Sequence, residues 1–196
     1  MDAVERRAEK RVRPPGDALL DFALWPAEPA PPPRLLLPVL GLPATCRLAG
    51  DTLVLIDITA IGLGLRLDAG AAPRERIAAA PAVFVYLKLR EYRPKAQGGV
   101  LSLFFHARSV RVEPLPDGLA LGLRFTRQGR GSSFEKSLEL LDVSHFGVPM
   151  LAAWIDALVR DMEEPQQAQG PGLDLDRLLD EPQIGLTPTA GQRDKP

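Results

Sequence analysis

The spacing of hydrophobic and polar residues changes along the chain from strand-like to helix-like. Apolar and β-branched residues run almost without interruption through residues 53–58, which is typical of a buried strand, and apolar residues then alternate with small or polar ones through 61–67. The same alternation returns in residues 119–125. Between 148 and 159, apolar residues recur at a spacing of three and four, which is typical of an amphipathic helix. The pattern predicts an all-β core followed by one C-terminal α-helix.

Turn and breaker residues divide the apolar pattern into short strands. Pro38 and Pro43 interrupt the first predicted strand and indicate an edge or kinked strand. In the predicted strand over residues 101–112, the apolar phase changes between Phe105 and Val110, which indicates a β-bulge. The Pro-Asp-Gly sequence at 116–118 indicates a hairpin turn. The predicted strands cover residues 35–48, 53–59, 61–67, 83–89, 101–112 and 119–126.

Regularly spaced strands with turn signals predict a six-stranded antiparallel β-barrel over about residues 35–126, closed by a helix near 148–162. Residues 68–81 are expected to form a loop with one helical turn, and the basic, glycine-rich residues 127–133 are expected to form an exposed loop.

The predicted barrel is flanked by two segments of different composition, and both termini are expected to be flexible. Residues 1–33 are basic and then proline-rich, residues 34–162 hold the barrel and its closing helix, and residues 163–196 turn to Pro, Gln, Gly and charge. We expect the last segment to be a disordered tail in which the short apolar piece 173–179 can dock on a partner.

Charge and cysteine content exclude several classes of function. A formal net charge of -1 removes any general electrostatic case for binding nucleic acid or a membrane surface, so a bound anion needs a local cluster of cations. The single cysteine, Cys46, excludes an internal disulfide framework and a cysteine-rich zinc site. The charged start of the chain lacks the apolar core of a signal peptide, and no stretch approaches the ~18 apolar residues of a spanning helix. We expect a cytoplasmic protein that does not insert into membranes.

Two polar side chains that can bind a ligand stand at the end of the predicted strand 53–59. Asp57 and Thr59 stand two positions apart, so in an extended chain they project from the same face, with a glycine at Gly62 to close the turn by adopting a positive φ or to let a ligand approach the backbone. Nearer the N-terminus, Arg7 and Arg11 are four positions apart in a basic stretch. Guanidinium groups make bidentate bonds to phosphate or to the O6/N7 edge of guanine.

These residues resemble the motifs of a known family. Asp57-x-Thr59-x-x-Gly62 resembles the Asp/Asn-x-Ser-x-x-Gly motif of the PilZ domain family, bacterial receptors for cyclic di-GMP, and Arg7-x-x-x-Arg11 resembles the family's Arg-x-x-x-Arg motif. The resemblance extends over about residues 34–160 and includes the Gly-Leu-x-Phe signature at 122–125.

The resemblance implies a PilZ-like barrel that binds cyclic di-GMP without a further cofactor. It implies that Asp57 accepts hydrogen bonds from a guanine edge, that Thr59 adds a hydroxyl contact, and that Gly62 shapes the turn. The arginines of the second motif would then hold guanine and phosphate. Thr59 replaces the family's serine, which keeps the hydroxyl but adds a methyl group and restricts χ1.

The chain departs from the family in where its arginines stand. The family places the pair directly before the first barrel strand, where this chain has Arg34 in the second position but Ala30 in the first. Either Arg7 and Arg11 reach back to the barrel across an inserted segment, or the motif next to the barrel is half lost and Arg34 serves alone.

A second match to Asp-x-Ser-x-x-Gly occurs at residues 142–147, directly before the helical pattern, so we expect Ser144 or a neighbouring residue to cap that helix. Enzymatic function has little support, because His106 and His145 lack a nucleophile, a metal-ligand set or a phosphate loop nearby in the sequence. Two hypotheses follow. The chain is either a cyclic di-GMP receptor that acts on a downstream protein partner, or a degenerate PilZ-like interaction module that binds no nucleotide.

Overall fold

The structure is a computed structural model, and it describes residues 10–92, 99–132 and 135–163. Strands account for most of the described chain, with one long helix at its C-terminal end. The strands are β1 (Leu19–Ala27), β2 (Arg34–Leu36), β3 (Thr45–Cys46), β4 (Thr52–Thr59), β5 (Gly62–Asp68), β6 (Ala82–Arg90), β7 (Val100–Leu115), β8 (Gly118–Ser132) and β9 (Ser137–Asp142). The α-helices are α1 (Leu37–Leu40), α2 (Ala71–Ala79) and α3 (Pro149–Glu163), and a 3₁₀ turn covers Arg47–Ala49.

The strands form a single antiparallel sheet that curls into a half-barrel. Its main path runs β2-β9-β8-β7-β6-β1-β3, with β5 and then β4 branching from β8. This branching occurs because the long strand β8 uses one edge for two partners: residues 119–124 pair with β5, and residues 127–132 pair with β9. The opposite edge of β8 pairs with β7.

The concave side of the sheet holds the main hydrophobic core. Alternate residues of β4, β5, β7 and β8 point into it, and Phe105 and Phe125 stack there with ring centroids 4.2 Å apart. Helix α3 packs its apolar face into the same core through Trp154, which is fully buried and donates a hydrogen bond from Nε1 to the backbone oxygen of Arg90 at 2.7 Å. The helix therefore covers apolar strand residues that would otherwise face water.

Several elements agree with the sequence pattern. The helix predicted near 148–162 is observed at Pro149–Glu163, and the predicted strands at 83–89 and 119–125 lie within β6 and β8. The bulge predicted in β7 is also confirmed, because the register with β8 shifts between Ser109 and Arg111 and again between His106 and Ala107. The hairpin turn predicted at 116–118 is also observed: Pro116 and Asp117 form a two-residue turn between β7 and β8, and Gly118 is the first residue of β8.

The predicted count of six strands is wrong, since the described residues form nine, and the barrel begins earlier in the chain than expected. Residues 35–48, expected to be the first strand, instead form β2, α1, β3 and the 3₁₀ turn. Pro38 lies in the first turn of α1, where a missing N–H is tolerated. The strand position belongs to β1, which lies within the segment 1–33 that was predicted to precede the barrel. Phe22 and Leu24 of β1 are buried in the core, and β1 pairs with β6 along its length.

Two expected loops are also regular structure. Residues 127–132 continue β8, because Gly129 and Gly131 leave no side chain where β9 and Phe104 approach: a Cβ at Gly129 would lie 2.9 Å from Phe104 Cδ1. Residues 71–79 form the full helix α2 rather than a single turn. Of the ends expected to be flexible, residues 1–9 and 164–196 lie outside the described residues, and Glu163, the first residue of the expected tail 163–196, is instead the last residue of α3.

The duplicate Asp-x-Ser-x-x-Gly sequence does not cap α3 through Ser144. Asp142 Oδ1 accepts hydrogen bonds from the backbone N–H of Ser144 at 2.9 Å and from its hydroxyl at 2.6 Å, which closes a local turn and lowers the pKa of Asp142 below its ordinary value. The helix begins later, at Pro149. Gly147 has a positive φ of 69°, and the next N–H, that of Val148, donates to Ala60 O at 2.8 Å. The segment thus joins β9 to the helix and contacts the β4–β5 turn.

Candidate functional site

A row of four aligned residues crosses the outer face of the sheet. Asp57 on β4 pairs with Gly64 on β5, Gly64 pairs with Gly122 on β8, and Gly122 pairs with Arg111 on β7. Since neighbouring strands lie about 4.8 Å apart, the α-carbons of Asp57 and Arg111 are separated by roughly 14 Å. The row therefore has a carboxylate at one end, a guanidinium at the other and two residues without side chains between them.

The missing side chains open a groove of about 710 Å³ along this face. Its floor is made by four small residues, Gly62, Gly64, Gly122 and Ala120. The walls carry larger side chains, from β4 on one side and from β7 and Arg124 of β8 on the other. Glycines in a strand interior weaken it but allow a ligand to approach the backbone closely. A flat group can therefore lie against the floor beside the Asp57 carboxyl, which covers Gly64.

The carboxylate of Asp57 marks the β4 wall and has one cation beside it. Arg11 Nε lies 3.8 Å from Asp57 Oδ1, a distance that gives an ion pair without a hydrogen bond. The Asp57 side chain is 21% exposed and that of Arg11 is 71% exposed. Because exposed ion pairs of this kind contribute about 0–1 kcal/mol, the carboxylate oxygens stay available to hydrogen-bond donors from a ligand.

Arg11 reaches this position because the N-terminal segment adds a short bridge to the edge of β4. The Val12 N–H donates to Ile58 O at 3.1 Å, and the Ile58 N–H donates to Val12 O at 2.9 Å. One residue before Arg11, Lys10 Nζ pairs with Asp156 Oδ1 of α3 at 3.2 Å. Since β1 starts soon after this bridge, no long spacer has to be ordered to bring Arg11 to the sheet.

Thr59 and Gly62 hold the turn between β4 and β5. The Thr59 hydroxyl donates to Gly62 O at 3.1 Å and accepts from the Ile61 N–H at 3.2 Å, so its single proton is already used within the turn. Gly62 does not adopt the expected positive φ. Its lack of a side chain serves close strand approach, because a Cβ there would collide with the backbone oxygen of Leu123 on β8.

The structure describes one of the other two predicted arginines, and that one lies away from the groove. Arg34 is in β2, donates a hydrogen bond from Nη2 to Ser137 Oγ at 3.0 Å, and does not line the groove. Arg7 lies outside the described residues. The structure therefore brings Arg11, Asp57, Thr59 and Gly62 together around one groove and separates Arg34 from them.

Two arginines in the β7–β8 wall, Arg111 and Arg124, are not among the predicted site residues. Arg124 was visible as an outward position in the strict alternation of 119–125, but nothing in the sequence indicated which strand would lie beside it. Arg111 follows the bulge of β7, which changes the face to which its neighbours point.

His106, the histidine with strand character, has a structural place. It is fully buried, with Nδ1 2.6 Å from Thr126 Oγ1 and Nε2 2.8 Å from Glu28 O. Burial lowers the pKa of His106 below its ordinary value. Both ring nitrogens therefore serve internal hydrogen bonds, and the ring does not line the groove.

Fold and site together define an antiparallel half-barrel with a C-terminal helix and a glycine-floored groove on its outer face. No protein-family model and no characterised protein sequence matches the chain. Among solved structures, the chain is similar to the Bacillus subtilis inhibitor of motility (MotI/DgrA), with 12% identity and a TM-score of 0.39, over 80% of this chain and 51% of that one. The chain thus spans about half the length of that protein. No helix in the described ranges is long and apolar enough to span a membrane.

Proposed function

We propose that this chain is a cyclic di-GMP receptor of the PilZ type and that the groove is its ligand site. The observation that supports this most is the meeting of Arg11 and Asp57 at one wall of the groove, 3.8 Å apart. The two residues come from distant parts of the chain, and each belongs to one of the two motifs that resemble the family. An accidental motif in a basic tail gives no reason for such a meeting.

The chemistry of this wall suits a guanine base. Guanine presents N–H donors on one edge and the O6 and N7 acceptors on another. The Asp57 carboxylate can accept from the donor edge, and the Arg11 guanidinium can donate to the acceptor edge or to a phosphate. The glycine floor admits the flat face of the base, and Thr59 acts by holding the turn that positions Asp57.

The proposed function also implies a cellular location and a partner for the protein. A receptor for an intracellular second messenger belongs in the bacterial cytoplasm and passes its signal to a downstream protein partner. Because the net charge of the chain is only -1, selectivity for a dianion has to come from the cations at the groove rather than from the overall field.

Isothermal titration with cyclic di-GMP tests this function. Asp57→Ala and Arg11→Ala should each weaken binding roughly ten- to a hundredfold, because each removes a charge-assisted hydrogen bond worth about 1.5–3 kcal/mol. Arg34→Ala is the matched control, since Arg34 is an exposed arginine of the same sheet that does not line the groove, and it should bind like the wild type. Arg7→Ala belongs in the same series and should behave like Arg11→Ala if both arginines of the motif hold the ligand.

Two results would contradict the proposal. Absence of any binding heat for the wild-type protein at ligand concentrations well above micromolar would favour the non-binding interaction module instead. Loss of binding in Arg34→Ala with normal binding in Arg11→Ala would move the site to the other arginine placement. Thermal melting of each variant shows whether a loss of binding is a loss of fold.

A further inference from the structure

The wall opposite Asp57 carries two cations that belong to neither motif. Arg111 on β7 and Arg124 on β8 both line the groove and both are exposed. The pairing of Arg111 with Gly122 and of Arg108 with Arg124 places them on adjacent strands, in neighbouring rows of the same face. The guanidinium of Arg124 makes no ion pair or hydrogen bond with the described part of the chain. This wall is therefore electropositive and has unused donors.

Arg111, in contrast, is already paired. Its Nη2 contacts Glu113 Oε2, two residues along the same strand and hence on the same face. The side chain of Arg111 is 72% exposed and that of Glu113 is 48% exposed. Exposed ion pairs of this kind contribute only about 0.2–1 kcal/mol to stability. An anion that enters the groove can replace Glu113 at little cost.

The two walls differ in charge, and this difference orients a ligand. The Asp57 wall pairs one carboxylate with one cation, Arg11, whereas Arg111 and Arg124 outnumber Glu113 on the opposite wall and leave it positive. Asp57 repels phosphate and attracts N–H donors, whereas Arg111 and Arg124 attract phosphate. The small floor residues between them offer no competing side chain.

We propose that the Arg111–Arg124 wall binds the phosphate groups of the ligand while Asp57 binds a base, and that Glu113 is an internal competitor that occupies Arg111 until the ligand arrives. This inference rests on the proposed function. It assigns phosphate recognition to a wall outside the two motifs. It also implies that competition from Glu113 for Arg111 limits the affinity for the ligand.

Titration calorimetry of the full chain with cyclic di-GMP tests the wall. Arg111→Ala and Arg124→Ala should each weaken binding about tenfold or more, because each removes a charge-assisted bond to phosphate. Arg130→Ala is the matched control, because Arg130 is an exposed arginine of β8 that does not line the groove. The affinity of the wild type should also fall more steeply with added salt than that of Arg124→Ala, since a phosphate contact is screened.

The competitor role makes the opposite prediction for Glu113. Glu113→Gln should raise the affinity roughly 1.5- to fivefold, the equivalent of an exposed ion pair. In an Arg111→Ala background the same change should have no effect, because there is no guanidinium left to release. Glu139→Gln, an exposed carboxylate on β9, controls for a general change of charge.

The outcomes separate the two proposals. If the wild type binds and Asp57→Ala weakens binding, but the Arg111 and Arg124 variants bind normally, the wall is overturned and the receptor function stands. If Glu113→Gln strengthens binding equally with and without Arg111, the competitor role is overturned. If the wild type shows no binding, the receptor function fails and this inference fails with it.

Discussion

Replacement of Gly62 by alanine separates the structural role of a motif residue from its role at the ligand. A Cβ at this position would lie well inside 3.0 Å of the Leu123 backbone oxygen, a separation that real Cβ atoms essentially never show. The obstacle is backbone, and β8 is held there by β5 on one edge and β7 on the other. Neither strand can move aside without losing ladder hydrogen bonds.

The expected cost follows from this geometry. Overpacking of a well-packed interior costs about 1–3 kcal/mol, and we expect about 3 kcal/mol, the top of that range, because the backbone of a central strand must shift. For a folded chain of about 150–250 residues, each kcal/mol lowers Tm by roughly 2–4 °C. Gly62→Ala should therefore melt roughly 6–12 °C below the wild type.

Circular dichroism melting without ligand measures this directly. Gly16→Ala is the matched control, because a Cβ at Gly16 meets nothing within 4 Å, and its Tm should stay close to that of the wild type. If Gly62→Ala melts within a degree of the wild type, the proposed clash between a Cβ at position 62 and the β8 backbone is refuted. Urea unfolding of the same pair gives the free energy independently of temperature.

Three further predictions rest on single contacts. Gly64→Ala would bring a Cβ to 3.1 Å from Asp57 Oδ1, so it should weaken cyclic di-GMP binding in calorimetry with little change in Tm, because a side-chain carboxylate moves more readily than backbone. Trp154→Phe removes the buried donor to Arg90 O and should lower the unfolding free energy in urea by about 1–3 kcal/mol. Burial lowers the pKa of His106 below its ordinary 6.5, so the unfolded chain takes up the proton first and stability falls as pH drops below that value. Urea titrations at several pH values should show this loss, and His106→Gln should lack it.

Local periodicity in the sequence determined the elements whose signal is contained in a short window. Strict alternation predicted the strand around Leu121 and Leu123, helical spacing predicted α3, and a change of apolar phase predicted the bulge in β7. These signals are reliable because each records which face of an element is buried, and that face is set by the pleat or by the helical turn itself.

Only the tertiary structure decided which segments fill the sheet. Residues 35–48 were predicted as the first strand, yet they break at a helical turn, and residues 19–27, for which no strand was predicted, pair with β6 instead. Which segment becomes a strand at a given sheet position depends on the neighbouring strand with which it can pair. That neighbour is distant in the sequence, so a short stretch of sequence does not reveal it. For the same reason, the sequence predicts a loop over residues 127–132, whereas in the structure these residues continue β8 because they pair with β9.

The candidate site divides in the same way. The sequence determined that Asp57, Thr59 and Gly62 stand together at a turn, since they are neighbours in the chain. That Arg11 lies beside Asp57, and that Arg111 lies across the groove from it, follows from a bridge and a strand register between distant segments. Register is fixed by packing along whole strands. The placement of Arg111 across the groove from Asp57 is therefore determined only when the sheet is formed.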